Sequence, residues 1–293
     1  MKLPTGKSAL ARCCATAVLA LSAASALTVA EAAADDRVRA GNWAGYVVQG
    51  DFHRVSATWV HPTITCTNPG VVQRLVPWVG LNGTQDASGA MALPLMQTGV
   101  ESLCVSEAAI YAAQPGLRLG AAAADLTFTN PVLSDVLMGA SSRVNNALGG
   151  AADGLCATGA LPALCATEWG TDAWWEAYPQ PPYFYDDVTT DPGDTMRSTV
   201  EFDGARYTMT LENRTKNWTR ATTVESTAPA RTAEIVVEGQ LDSALPGFSP
   251  ITFTDIEIDG KSLSAYETEA IGIPATNRVL IPGPVRGASF TIG

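Results

Sequence analysis

Between Asn42 and Ile292 the sequence breaks into short apolar and β-branched runs, each ended by turn-forming residues. This pattern restricts the fold more than any other feature of the chain. Runs of this length, repeated with turn signals between them, read as half-buried strands of an antiparallel fold. Asn42–Val48, Phe52–Val60, Leu75–Leu81 and Leu93–Val100 form the first group, with Asn82-Gly83 as a turn after the third. Pro77 inside the third run predicts an edge position or a bulge. A second group follows at Asp172–Pro179, Met196–Phe202, Arg206–Glu212, Ala233–Gly239, Ile251–Ile258, Arg278–Ile281 and Ala288–Ile292. Asp203-Gly204 between two of these runs marks a hairpin. The expected fold is all-β, a two-sheet antiparallel β-sandwich.

The stretch from about 108 to 167 has a different texture. It is rich in Ala and Gly, and Asn130-Pro131 is a helix-start signal. Val132, Leu133, Val136, Leu137, Val144 and Leu148 recur at helical spacing, and Gly149-Gly150 reads as the stop. This segment is expected to be a largely helical or irregular insertion at the rim of one domain spanning 35–293.

Residues 1–34 carry Lys2, Lys7 and Arg12, an apolar run from Ala15 to Val29, and small residues before Ala34. That is the layout of a secretory signal peptide, which predicts export. Without them, 15 Lys and Arg face 28 Asp and Glu, a formal charge of −13. Such acidity argues against nucleic acid or an anionic membrane as a partner. Cys13 and Cys14 leave with the signal. Cys66, Cys104, Cys156 and Cys165 remain and allow three pairings. Proximity favours Cys156–Cys165, which leaves Cys66–Cys104 as its complement. A tetrahedral metal site is the weaker reading, since there is no C-x-x-C and His53 and His61 are the two histidines of the chain.

Common hydrolase signatures are missing. The chain has no G-x-S-x-G, no H-E-x-x-H and no paired Asp-Thr-Gly loops. The run Ala233-Glu234-Ile235-Val236-Val237-Glu238 instead carries two carboxylates on one strand face. They are four residues apart, about 13 Å along a strand, and glycosidase pairs need roughly 5–10 Å. Glu238 therefore needs a partner from elsewhere in the chain, and Glu234 is left as a cleft or structural carboxylate.

Seven motifs in order resemble those of the glutamic peptidases, the eqolisins. They are Asn42-Trp43-Ala44-Gly45, Thr58-Trp59-Val60-His61-Pro62, Trp78-Val79-Gly80-Leu81-Asn82-Gly83, Gln97-Thr98-Gly99, Trp174-Trp175-Glu176-Ala177-Tyr178-Pro179, Pro192-Gly193-Asp194 and Ala233–Glu238. The resemblance implies a concanavalin-like sandwich with a cleft on one sheet. It also implies a monomeric acid endopeptidase that acts on protein or peptide substrates with no cofactor and no metal. Matched motif by motif, Glu238 and Gln97 become the catalytic dyad, with Trp43, Trp78 and Asn82 in the substrate-binding cleft. Cys66–Cys104 resembles a bridge of bacterial members. A carboxylate can take a proton from water and return it to the leaving amine. A glutamine amide can orient that water and stabilise an oxyanion.

The chain departs from the family pattern at two places. Ile235 stands where the family carries Trp, on the face opposite Glu238. Asn82 replaces an aspartate, which would alter the pH profile or subsite preference if that aspartate sets the charge of the site. The competing expectations are a non-catalytic lectin-like or peptide-binding sandwich displaying Trp43, Trp78, Trp174 and Trp175, or a peptidase homologue without activity.

Overall fold

The computed structural model describes residues 38–84, 92–124, 131–239 and 244–293. In chain order its strands begin with β1 (Val38–Ala40), β2 (Trp43–Phe52), β3 (Arg54–Val60), β4 (Ile64–Thr65), β5 (Gln73–Leu81) and β6 (Leu95–Val105). Helices α1 (Glu107–Ala124), α2 (Pro131–Ala157) and α3 (Pro162–Cys165) follow. Strands then resume with β7 (Glu168–Tyr178), β8 (Tyr183–Phe184), β9 (Thr195–Phe202), β10 (Arg206–Asn213), β11 (Trp218–Glu225) and β12 (Ala230–Glu238). The last are β13 (Gly247–Phe248), β14 (Ile251–Ile258), β15 (Lys261–Ser262), β16 (Glu269–Pro274), β17 (Val279–Leu280) and β18 (Phe290–Ile292).

Apart from β4 and β13, which pair with each other, these strands form the two packed sheets that the sequence pattern predicts. The larger sheet runs β1-β16-β2-β12-β5-β6-β7-β8, with β17 on β16. The smaller runs β11-β10-β9-β3-β14-β15, with β18 on β14. Pairing is antiparallel except between β1 and β16. Side-chain alternation explains the layering. Ala233, Ile235 and Val237 of β12 turn inward and are fully buried with Val55, Ala57, Trp59, Met209 and Phe253 of the smaller sheet. Each large apolar side chain taken out of water in this way contributes roughly 1.5–3 kcal/mol. β12 lies between β2 and β5, bonded along both edges, so its outward side chains stand on a rigid base.

Several local expectations need correction. Pro77 is not at an edge: β5 lies between β12 and β6. Recorded pairing to β6 goes from Leu75↔Ser102 to Trp78↔Gly99, with none at Val76 or Pro77, so the missing N–H sits in a gap of the ladder. Strand β11 escapes the sequence pattern because its inward positions include Arg220 and Thr222, so it shows no apolar alternation. Strand β16 likewise lies outside the runs that the pattern marks. The run Phe52–Val60 is two elements, with His53 at the corner between β2 and β3.

Gly149-Gly150 does not stop α2, which continues to Ala157. A Cβ on Gly149 would lie 2.9 Å from Val71 Cγ2, so this glycine permits close packing of the helix on a loop. Asp153 fixes the same contact, its Oδ2 accepting from Asn68 Nδ2 at 3.0 Å. The disulfides are Cys66–Cys104 and Cys156–Cys165, as proximity favours. No helix among the described residues is long and apolar enough to cross a membrane.

The helices leave and re-enter the larger sheet at one point, because Val105 at the end of β6 pairs with Glu168 at the start of β7. The segment is therefore an excursion from a closed hairpin. Replacing 106–167 by Asn-Gly is expected to leave a soluble sandwich with strand-type circular dichroism and cooperative unfolding. Loss of the cooperative transition would show that the helices carry part of the core.

Candidate active site

The outward face of the larger sheet carries the candidate groups. On β12, Glu234, Val236 and Glu238 point away from the core, opposite Ile235 and Val237. Glu238 pairs in register with Trp43 on β2 and with Val76 on β5. Its carboxylate accepts three hydrogen bonds. Asn42 Nδ2 donates to Oε1 at 3.1 Å, while the indole N–H groups of Trp43 and Trp78 both donate to Oε2 at 3.1 Å. The two indoles meet edge to face, with ring centroids 4.9 Å apart and planes at 87°. Apolar neighbours Val76, Leu95, Trp174 and Val236 enclose Trp78.

That packing needs missing side chains next to the ring. A Cβ on Gly80 would stand 2.8 Å from the Trp78 ring, and one on Gly99 would stand 2.6 Å from Trp78 Cβ and 2.3 Å from the Pro77 carbonyl oxygen. The glycines of the Trp-Val-Gly and Gln-Thr-Gly motifs thus clear the space that lets Trp78 reach Glu238.

Gln97 lies on β6, paired with Gly80 on one side and Glu176 of β7 on the other. Its Nε2 donates to Glu176 Oε2, and its Oε1 has no hydrogen-bond partner among the described residues. Gln97 and Glu238 line the same cleft of about 430 Å³. Two strands and four register positions separate them, which puts the Cα atoms roughly 16 Å apart on a flat sheet lattice.

Three further charged residues line this cleft, and the sequence reading assigned none of them a role. Glu176 orients Gln97, Glu101 sits on the Gln97 strand, and Arg74 sits on the Trp78 strand. Arg74 Nε donates to Glu101 Oε1 at 2.5 Å. Parity held a clue, since Arg74 and Trp78, like Gln97 and Glu101, are four residues apart and so share a strand face.

Burial sets the proton affinities. It raises Glu238 above the ordinary carboxylate value, against the opposing pull of Arg74 and the two indole donors. It pushes Glu176 up to about 7, with the Glu238 charge adding to the rise. Burial disfavours the Arg74 charge, but the Glu101 carboxylate more than offsets this and its affinity rises. Glu234, wholly buried, is raised well above the usual range by burial, with Thr232 and Arg39 pulling weakly the other way.

Not every predicted site residue reaches the cleft. Trp43 lines it, while Trp78 is fully buried and acts through its N–H on Glu238. Asn82 turns away from the cleft. With φ at 73° it leaves the strand alternation, and its side chain is fully buried. Its Nδ2 donates to Tyr207 Oη at 3.2 Å and to the Pro94 carbonyl at 3.3 Å, and its Oδ1 accepts from Arg231 N. Asn82 ties the β5 turn to the smaller sheet and is not among the residues that line the cleft. Trp174 is 5% exposed and Trp175 faces the core side, so no open row of indoles is displayed. No group of three or more His, Cys, Asp or Glu among the described residues could hold a metal ion.

The sequence matches the peptidase A4 family over residues 41–116 and 147–292, a match that breaks within the helices. Aspergillopepsin-2 of Aspergillus niger is 30% identical over 132 residues, 41% of this chain and 47% of its own length. The chain thus spans about half the length of the curated relative it matches. Among solved structures, scytalido-glutamic peptidase with a transition state analog inhibitor superposes with a TM-score of 0.54 at 18% identity, covering 86% of this chain and 97% of that one. SCP-B, a member of the eqolisin family in complex with the tripeptide Ala-Ile-His, gives 0.52 at 17% with the same coverage. At these identities the likeness establishes the shared fold.

The buried carboxyls make stability depend on pH. A carboxyl whose affinity rises on folding stabilises fully below its unfolded value, about 4.5, and that stability is lost as pH climbs through the folded value. For Glu176 the window runs from 4.5 to about 7 and is worth about 3 kcal/mol. His61 works in the opposite direction. It is buried against Ser102, and burial lowers it from 6.5 to about 4, so it destabilises the fold as pH falls. These two nearly cancel, leaving Glu234 and Glu238 to tip the balance toward acid. The urea midpoint is expected to fall between pH 4.5 and 7.5, and to fall less in Glu234→Gln. A midpoint that rises over this range would contradict the assignment.

Proposed function

The chain belongs to the peptidase A4 family, the eqolisins, and we propose that it is a secreted acid endopeptidase. The observation that carries this reading is the shared cleft: a carboxylate and a carboxamide project from one sheet face into one cavity. Glu238 is the general base. Its Oε2 already accepts two indole N–H groups, whereas Oε1 accepts one from Asn42 and keeps a lone pair for a water proton. That water attacks the peptide carbonyl, and the protonated Glu238 then passes its proton to the leaving amine.

Gln97 supplies the amide. Its bond to Glu176 uses one of the two Nε2 protons and fixes the orientation of the group. The second N–H and Oε1 remain for the water and for the oxyanion of the tetrahedral intermediate. The raised affinity of Glu238 places its loss of activity on the acid side, as the base becomes protonated.

Residues 1–34 act as an export signal in this reading, and 35–293 form one domain whose helical segment is an insertion. Two disulfides suit an oxidising compartment. The lectin-like alternative loses its basis because Trp78 and Trp174 are buried rather than displayed. The argument for inactivity from Asn82 also weakens, since that residue sits outside the cleft.

Casein digestion from pH 3 to 7, a range wide enough for a base held above the usual carboxylate value, tests the proposal, with Glu238→Gln and Gln97→Ala beside the wild type. Removing the base is expected to lower kcat/KM by roughly 10²–10⁴, and removing the amide donor by roughly 10²–10³. Pepstatin is expected to leave the activity unchanged. Equal activity in folded wild type and Glu238→Gln would remove Glu238 from the mechanism.

A further inference from the structure

We propose that Arg74 forms a subsite beside Glu238 that selects a substrate side chain carrying a carboxylate. The inference rests on the peptidase reading and adds a determinant of sequence preference to it. Among the described residues lining the cleft, Arg74 is the one cation. Its position is fixed by register. Val76 pairs with Glu238, and Arg74 lies two residues before Val76 on the same strand face. Gln97 pairs with Gly80, four residues beyond Val76 in the opposite direction. Glu238 therefore lies between Arg74 and Gln97 along the strand, and Arg74 marks the end of the cleft away from the carboxamide.

The guanidinium is held in place but not used up. Glu101 is largely buried, with 9% side-chain exposure, and accepts a hydrogen bond from Arg74 Nε. Arg74 itself keeps 38% side-chain exposure, and its Nη groups make no hydrogen bond to the described residues. An arginine anchored through Nε still presents its Nη1 and Nη2 edge as a planar fork, which matches a carboxylate in two parallel N–H···O bonds. Anchoring also removes side-chain entropy that binding would otherwise cost.

The other end of the cleft is different. Leu93, Leu95 and Tyr178 line it beyond Gln97, and Leu93 and Tyr178 are about 40% exposed. A bound peptide would thus meet an apolar wall on the Gln97 side of the scissile bond and a cation on the Glu238 side. The charged groups facing Arg74 are Glu101, Glu176 and Glu238. Glu176 takes up a proton below about 7, which lessens the repulsion a substrate carboxylate would feel at acidic pH.

Peptides identical except for Glu, Gln, Leu or Lys at each position flanking the cleaved bond provide the test. At one position, wild type is expected to prefer Glu over Gln by roughly tenfold or more in kcat/KM. The ratio should grow from pH 3 to 5.5 as the substrate glutamate ionises near 4.3. Arg74→Gln should bring the two peptides to the same value, and Arg74→Lys should keep part of the preference. Glu101→Gln, which retains Arg74 but removes its internal counter-charge, should enlarge it. Since Arg74→Gln leaves Glu101 buried without its partner, the double variant Arg74→Gln/Glu101→Gln serves as a second folded control.

Equilibrium binding of the same peptides to Glu238→Gln, read by tryptophan fluorescence, separates the two proposals. Cleavage with no Glu preference would overturn the subsite alone. No cleavage, but tighter binding of the Glu peptide that is lost with Arg74, would overturn the peptidase reading and keep the subsite. Absence of any charge preference in binding or turnover ends this inference.

Discussion

The cleft depends on keeping one carboxylate largely out of water while supplying it with donors. Transferring an ionised carboxylate into a protein interior costs several kcal/mol even after relaxation. Three N–H groups, from Asn42, Trp43 and Trp78, offset that cost at Glu238. Charge-assisted bonds of this kind contribute more than neutral ones. Desolvation still wins, so Glu238 binds its proton more tightly than a free glutamate. That balance suits a group that must accept a proton and give it back.

The sandwich makes the arrangement rigid. β12 is central in its sheet, and its inward residues Ile235 and Val237 are locked in the core while Glu238 faces the cleft. Trp78 is anchored on the neighbouring strand, and Gly80 and Gly99 leave space for its ring. Glu176 holds Gln97 from the far side. Each functional group is therefore seated on a strand bonded on both edges, where a small displacement would disturb the hydrogen-bond ladder as well as the site.

Much of this was legible in the sequence, and the failures have physical causes. The turn-punctuated runs and the alternation at Ala233–Glu238 give the sandwich and the face of Glu238, since strand parity is a local property. Parity also puts Arg74 with Trp78 and Glu101 with Gln97. It does not say that these four meet, because the β5–β6 register joins residues distant in sequence. Asn82 is a cleft residue only by the motif resemblance; its positive φ takes it off the strand face that Trp78 and Gly80 share, which no motif match reveals. Gly149 was read as a helix stop when it serves a close tertiary contact with Val71, which no local pattern reveals. Strand β11 was missed because an edge strand with Arg220 and Thr222 turned inward lacks the apolar rhythm of a buried one.

The central claim is that Glu238 and Gln97 act on one tetrahedral centre. The most direct measurement is a crystal structure at acidic pH with a peptide analogue bearing a hydrated, tetrahedral carbon in place of the scissile carbonyl. The expected result is one oxygen of that centre within roughly 2.6–3.2 Å of Glu238 Oε1, and the other within about 2.7–3.1 Å of Gln97 Nε2. A tetrahedral centre bound elsewhere in the cleft, or touching Glu238 without Gln97, would contradict the dyad.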